Sequence, residues 1–122
     1  MVDEIDKNIV LDAYDDYELV AHTVREISHK QDMDLCTAWA DFQARFNRIS
    51  EMVPISLYKA NKQFGEMYPV NLSELCLGDI VSLQGDVVGP PFVYFSKSKL
   101  GAEKMFSAFF ERYGLPVWLR KD

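Results

Sequence analysis

The stretch VNLSELCLGDIVSLQGDVVGPPFVYFSKSKLGAEKMFSAFFERYGLPVW, residues 70–118, is the most densely punctuated part of this chain and decides its fold class. Asn71 is placed to cap a helical turn, and Glu74, three residues on, to reach back to the Asn71 N–H. Val70 and Leu75 stand at staple positions around that cap, and Gly78 is the expected stop, since a residue without Cβ takes the left-handed conformation cheaply. Residues 79–83, Asp-Ile-Val-Ser-Leu, are β-branched and apolar and read as a strand. Gln84-Gly85-Asp86 is turn chemistry, Val87-Val88 resumes strand character, and Gly89-Pro90-Pro91 breaks it at a loop or sheet edge. Phe92-Val93-Tyr94-Phe95 is a further short strand.

A helix follows. Ser96 or Ser98 is available as its cap, and its apolar residues, Leu100, Ala102, Met105, Phe106, Phe109, Phe110 and Tyr113, include pairs three and four apart such as 102/106, 105/109 and 110/113. Gly114 and Pro116 stop it. Residues 115–119, Leu-Pro-Val-Trp-Leu, are then expected as a short terminal strand or an extended segment on the core.

Working toward the N-terminus, Leu35, Trp39, Phe42, Phe46, Ile49 and Val53 repeat at steps of four and three, the cleanest periodicity in the chain. Asp41 and Arg45 form an i,i+4 pair on another face. An earlier helix is expected from about Asp15 to Lys30, with Tyr17, Val20, Ala21, Val24, Ile27 and Ser28 on one stripe and Asp15, Asp16 and Glu18 at its positive end. Residues 31–34 break the two, with Asp32 or Asp34 as the next cap, so an antiparallel helix pair is expected. Residues 53–67 read either as a third helix opened by Pro54 or as an edge strand over 53–58.

The 122 residues, 48% hydrophobic with sixteen aromatics, make one domain's worth of chain and exclude disorder on composition. No internal repeat or linker appears, so one domain over 1–122 is expected, with residues 1–11 and 120–122 poorly ordered. No apolar run approaches a membrane span, and the acidic start Met-Val-Asp-Glu-Ile-Asp is unlike a signal peptide, so the expectation is a soluble cytoplasmic protein. Cys36 and Cys76 have no metal-ligand spacing and are expected as buried small hydrophobes.

Net charge is −6, distributed as −7 over residues 1–34, −2 over 35–95 and +3 over 96–122. Such an acidic N-terminal third repels phosphates, which argues against nucleic-acid binding.

Three constellations invite a functional reading. Glu18, His22, Glu26 and His29 share one helix face, and Glu26-x-x-His29 has the spacing of a carboxylate-bridged metal helix. That face points away from the apolar stripe and no second Glu-x-x-His exists, so no metal or other cofactor is expected. The Gly89-Pro90-Pro91-Phe92 loop is rigid enough to suit docking, although such loops are ordinary connections. The strongest hint is the aromatic C-terminal third: Phe92, Tyr94, Phe95, Phe106, Phe109, Phe110, Tyr113 and Trp118 are the candidate ligand or interface residues. Phe109 and Phe110, being adjacent, cannot both centre on one narrow stripe.

No catalytic residues are assigned, because no Gly-x-Ser-x-Gly, His-Glu-x-x-His, Walker, Gly-x-Gly-x-x-Gly or paired Cys-x-x-Cys motif is present. The expected fold is α+β: an N-terminal antiparallel helix pair, a small antiparallel sheet from about residue 79 to 95 with 117–119 joining it, and the aromatic helix packed on the sheet. The expected function is a non-enzymatic binding or interaction protein, inhibitor- or immunity-like, acting as a homodimer or with a basic protein partner. Neither nucleic acid nor membrane is expected as a partner. The alternative is a small-ligand-binding protein or minor enzyme with an apolar pocket between sheet and aromatic helix.

Overall fold

Asp3 starts the first helix. Its Oδ1 accepts from the Asp6 N–H at 2.9 Å, and its own N–H donates to Asp6 Oδ2 at 3.3 Å, a capping box made of two aspartates. The computed structural model describes residues 2–62, 65–80, 83–84, 87–88, 92–98 and 102–119. Along the chain come α1 (Glu4–Asp15), β1 (Glu18–Leu19), α2 (Val20–Lys30), α3 (Leu35–Ser50), β2 (Ile55–Ala60), β3 (Met67–Val70), a 3-10 turn (Leu72–Glu74), α4 (Leu77–Ile80), β4 (Leu83–Gln84), β5 (Val87–Val88), β6 (Phe92–Lys97), α5 (Ala102–Tyr113) and a second 3-10 turn (Val117–Leu119).

The fold is α+β, with helices around an antiparallel sheet of order β1-β6-β2-β3 and a separate two-stranded β4-β5 ribbon. The sheet is not the one expected from residues 79–95. Its centre is β6 with β2, paired from Ile55↔Lys97 to Ala60↔Phe92, and β2 is an interior strand, neither a helix nor an edge. Of the strand expected over 79–83, Asp79 and Ile80 belong to the short helix α4, Leu83 is in β4 and residues 81–82 lie outside the described residues; Gly78 lies inside α4 instead of ending the turn capped by Asn71. The local reason is Asp79, whose carboxylate accepts from the Cys76 N–H at 2.9 Å and so stabilises a turn where β-branched residues suggested extension. The expected turn at Gly85-Asp86 and the Gly89-Pro90-Pro91 break lie outside the described residues, as do residues 120–122.

Cross-strand partners share a face. Leu57 and Phe95 face α3, where Phe95 meets Phe42 with ring centroids 5.9 Å apart. Tyr58 and Tyr94 take the opposite face, and the Tyr17 ring stands edge-on to both, at 5.5 and 6.4 Å. The core runs through Ile9, Val24, Ile27, Phe42, Ile49, Leu57 and Phe95, joined by Phe106 and Phe109 of α5 beside the sheet.

The α2–α3 pair forms as the periodicity dictates. Asp34 caps α3, accepting from the Thr37 N–H at 2.7 Å, and Trp39, Phe42, Phe46, Ile49 and Val53 are buried. Helix α1 is the element not foreseen. Residues 4–11, expected to be poorly ordered, lie in it, and Ile5, Ile9, Val10 and Ala13 are buried. Asp15 therefore ends a helix instead of starting one, and Glu18 is in a strand.

Helix α1 is fastened to α3 by charge. Asp6 is fully buried and accepts from Arg45 Nη1 at 2.9 Å and Arg48 Nη2 at 2.8 Å. Arg45 also donates to Asp3 at 2.6 Å and to Asp41 at 2.6 Å. Burial pushes Asp3 up, but the hydrogen bonds from Arg45 and the Asp6 N–H, with the charges of Arg45 and Arg48, hold it below the usual carboxylate range.

Candidate functional site

Helix α5 ends where glycine is required. Gly114 has φ 81°, which favours a residue without Cβ, and its N–H returns to the Phe110 carbonyl at 2.8 Å. Pro116 forbids further helix, so the chain turns back over α1 as a 3-10 turn, and residues 117–119 do not join the sheet. Two hydrogen bonds hold the turn. The Val117 N–H donates to Glu4 Oε1 at 2.8 Å, and Trp118 Nε1 donates to Asn8 Oδ1 at 2.7 Å.

The turn is ordered yet presents its apolar groups to solvent. Val117 is 61% exposed and Trp118 67%, with Leu115 and Leu119 also exposed. One residue before Gly114, Tyr113 lines a groove of about 240 Å³ with Met52, Met105, Ala108, Phe109 and Arg112. Arg112 lies over the Tyr113 ring, 5.2 Å from its centroid, and so places a cation at the groove. The groove therefore ends, at Tyr113, one residue before the Gly114 corner that leads into the turn.

The far end of α1 is acidic. Its last turn contains no basic residue, although a helix C-terminus carries partial negative charge and favours cations. Asp12 lies with Asn8, Thr23 and Glu26 around a cleft of about 10 Å³, room for one water. Burial pushes the Asp12 carboxyl up to about 7, and the neighbouring charges of Glu18, Glu26 and Asp15 act in the same direction.

No family model matches this chain, and neither does any curated protein or solved structure. The site is therefore read from its own residues.

Of the aromatic residues singled out from sequence, Tyr94, Phe95, Phe106 and Phe109 are buried, and Phe92, Phe110 and Tyr113 are half-buried. Trp118 is exposed. Phe109 and Phe110 do diverge around α5: their rings meet edge-on at 5.5 Å, Phe109 in the core and Phe110 packed at its margin. The structure brings Phe109 and Tyr113 together at the groove and sets Trp118 on the adjoining turn, while Phe92, Tyr94 and Phe95 belong to the sheet.

The Glu18–His29 face is not one continuous helix face, because Glu18 lies in β1. His22 Nδ1 lies 3.3 Å from Glu18 Oε1, and Glu26 pairs with Lys30 at 2.9 Å. Among the described residues no group of three or more His, Cys, Asp or Glu is gathered as a metal site. Cys36 and Cys76 are exposed, not buried as expected. Cys36 stands in the first turn of α3 while Ala38, Trp39 and Phe42 take its buried face, and the Cys76 thiol donates to Asp79 Oδ2 at 3.2 Å.

Sequence reasoning missed Met52, Met105, Arg112, Val117 and Leu119, together with Glu4, Asn8 and Asp12 on α1. A signal existed for the turn: four apolar residues surround Pro116 directly after a helix stop, too many for a solvated tail.

Proposed function

We propose that this chain is a non-enzymatic interaction protein whose contact surface is the 115–119 turn with the adjoining flank of α5. The observation that supports this most is Trp118, held by a hydrogen bond in a fixed turn and still 67% exposed. An ordered aromatic side chain costs little further entropy on docking, and tryptophan is the side chain most enriched where binding energy concentrates. Covering Val117 and Trp118 is worth about 1.5–3 kcal/mol each by area.

The groove beside it, at about 240 Å³, is smaller than the roughly 300–1,000 Å³ of ordinary small-molecule sites, which weighs against a ligand-binding reading. The exposed free thiols Cys36 and Cys76 suit a reducing compartment such as the cytoplasm. Among the described residues no helix is long and apolar enough to cross a membrane.

The test compares proteins cross-linked to the wild-type chain in cells with those cross-linked to the double variant Val117→Ser/Trp118→Ala. A partner, a second copy included, that is lost from a variant with unchanged circular dichroism supports the reading. Identical cross-links from both chains, or a small molecule held by the wild type in native mass spectrometry and lost on Phe109→Ala, would overturn it.

A further inference from the structure

Resting on that interaction reading, we infer that the partner seated on this surface is a cationic amphipathic segment, with apolar side chains on Val117, Trp118 and Leu119 and a lysine or arginine meeting Asp12 and Asp15 of α1. The register comes from Asn8, which holds Trp118 and also lines the Asp12 cleft. At 1.5 Å per residue, Asp12 lies about 6 Å and Asp15 about 10 Å along the axis from Asn8, within reach of a long cationic side chain projecting from a segment anchored on Trp118.

The charges that act on Asp12 at this end of α1 are those of Glu18, Glu26 and Asp15, while Lys97 of β6 lies over the Tyr14 ring, 4.7 Å from its centroid. Asp12, Asp15 and Asp16 crowd a helix C-terminus that itself favours cations. The groups facing Asp12 from neighbouring elements are Glu26 of α2, already paired with Lys30, and Glu18 of β1, already paired with His22. Arg45 and Arg48 are committed to Asp3 and Asp6 at the opposite end of α1. The cleft at Asp12 has room for about one water, so no free organic cation fits inside it, and a charge delivered at the tip of a side chain does. A pure apolar partner would leave these carboxylates desolvated and uncompensated, and an acidic one would be repelled.

The arrangement also sets a proton linkage. Asp12, held up to about 7 by burial and by Glu18, Glu26 and Asp15, carries a proton in an appreciable fraction of molecules at neutrality. An arriving cation favours the ionised form, so binding releases that proton and weakens as pH falls toward 5.5.

The probe is a synthetic 18-residue helical peptide of leucine and lysine, with counterparts in which glutamine or glutamate replaces lysine. Binding is read by calorimetry in two buffers of different ionisation enthalpy and by tryptophan emission, in which exposed Trp118 is distinguished from buried Trp39 by Trp118→Ala. The lysine peptide is expected to bind at least tenfold more tightly than the glutamine peptide, with a blue shift that Trp118→Ala removes. Trp118→Ala should weaken binding about tenfold, and Asp12→Asn about fivefold while abolishing proton release. Lysine and glutamine peptides binding alike, both through Trp118, would overturn the cationic inference and leave the docking surface standing. Lysine-peptide binding indifferent to Trp118→Ala would overturn the docking surface itself. A Trp118-dependent dimer in sedimentation that excludes the peptide would make the occupant a second copy and overturn the cationic class.

Discussion

Replacing Asp6 by alanine should destabilise this protein by about 3 kcal/mol. Asp6 has no solvent exposure and bridges Arg45 and Arg48 at 2.9 and 2.8 Å. Removing one partner of a buried ion pair costs about 3–5 kcal/mol, because the remaining charge stays desolvated. The Arg45 side chain, 8% exposed, keeps Asp3 and Asp41 at 2.6 Å, which places the loss at the low end of that range. Asp6→Ala also removes the carboxylate that accepts the Asp3 N–H in the α1 cap. Urea unfolding at fixed ionic strength measures the loss without the screening that guanidinium would add. Arg45→Met with Asp6→Leu should cost clearly less than the sum of the two single changes, with a coupling of about 1–3 kcal/mol. A loss below about 1 kcal/mol for Asp6→Ala, or strict additivity in the cycle, would mean that charge does not fasten α1 to α3.

Phe42, buried against Trp39, Phe46 and Phe95, should cost about 3–5 kcal/mol on mutation to alanine, measured by the same unfolding curves. Asp12 has a folded value near 7 against an ordinary 3.8, so its neutral form is favoured in the fold, and its contribution is full below about pH 4 and lost as pH rises through 7. Asp12→Asn should therefore gain about 1–2 kcal/mol over wild type at pH 8, after discounting for solvent screening at a half-buried site, and the gain should shrink toward pH 4. Exposed Cys36 and Cys76 should both react with a thiol reagent in the native protein, giving two equivalents without denaturant. Gly114→Ala, at φ 81°, should cost about 1–2 kcal/mol in thermal unfolding and loosen the turn that carries Trp118.

The parts legible in sequence are those whose causes are local. Asp34 and the three-four spacing through Ile49 gave α3, and Gly114 gave the end of α5. Helix α1 was hidden because its acidic residues read as a solvated tail, although Ile5, Ile9 and Ala13 already sit at helical spacing. What makes Asp6 an interior residue is Arg45, 39 positions away. The sheet failed for a related reason: β2 and β6 each look like edge material, and only their pairing makes both interior. At the candidate site, the sequence offered Trp118 as a ligand or interface residue but not its exposure, which depends on Asn8 and Glu4 holding a turn that no periodicity encodes.

The strand order β1-β6-β2-β3 has a consequence for how the chain is made. Strand β6 pairs on one side with β1 and on the other with β2, and Ser96 Oγ donates to the Asp16 carbonyl at 3.2 Å, 80 positions back along the sequence. A nascent chain emerging at about 5–20 residues per second can form its helix pair early, but its sheet cannot close before residues 92–97 leave the ribosome. For that interval β2 can pair with β3, but Ile55 and the inner face of α3 lack β6, and closing such distant pairs is slow. Co-translational folding of this protein is therefore back-loaded: the last third completes the first, and a chain halted before Phe92 lacks the strand that closes its sheet.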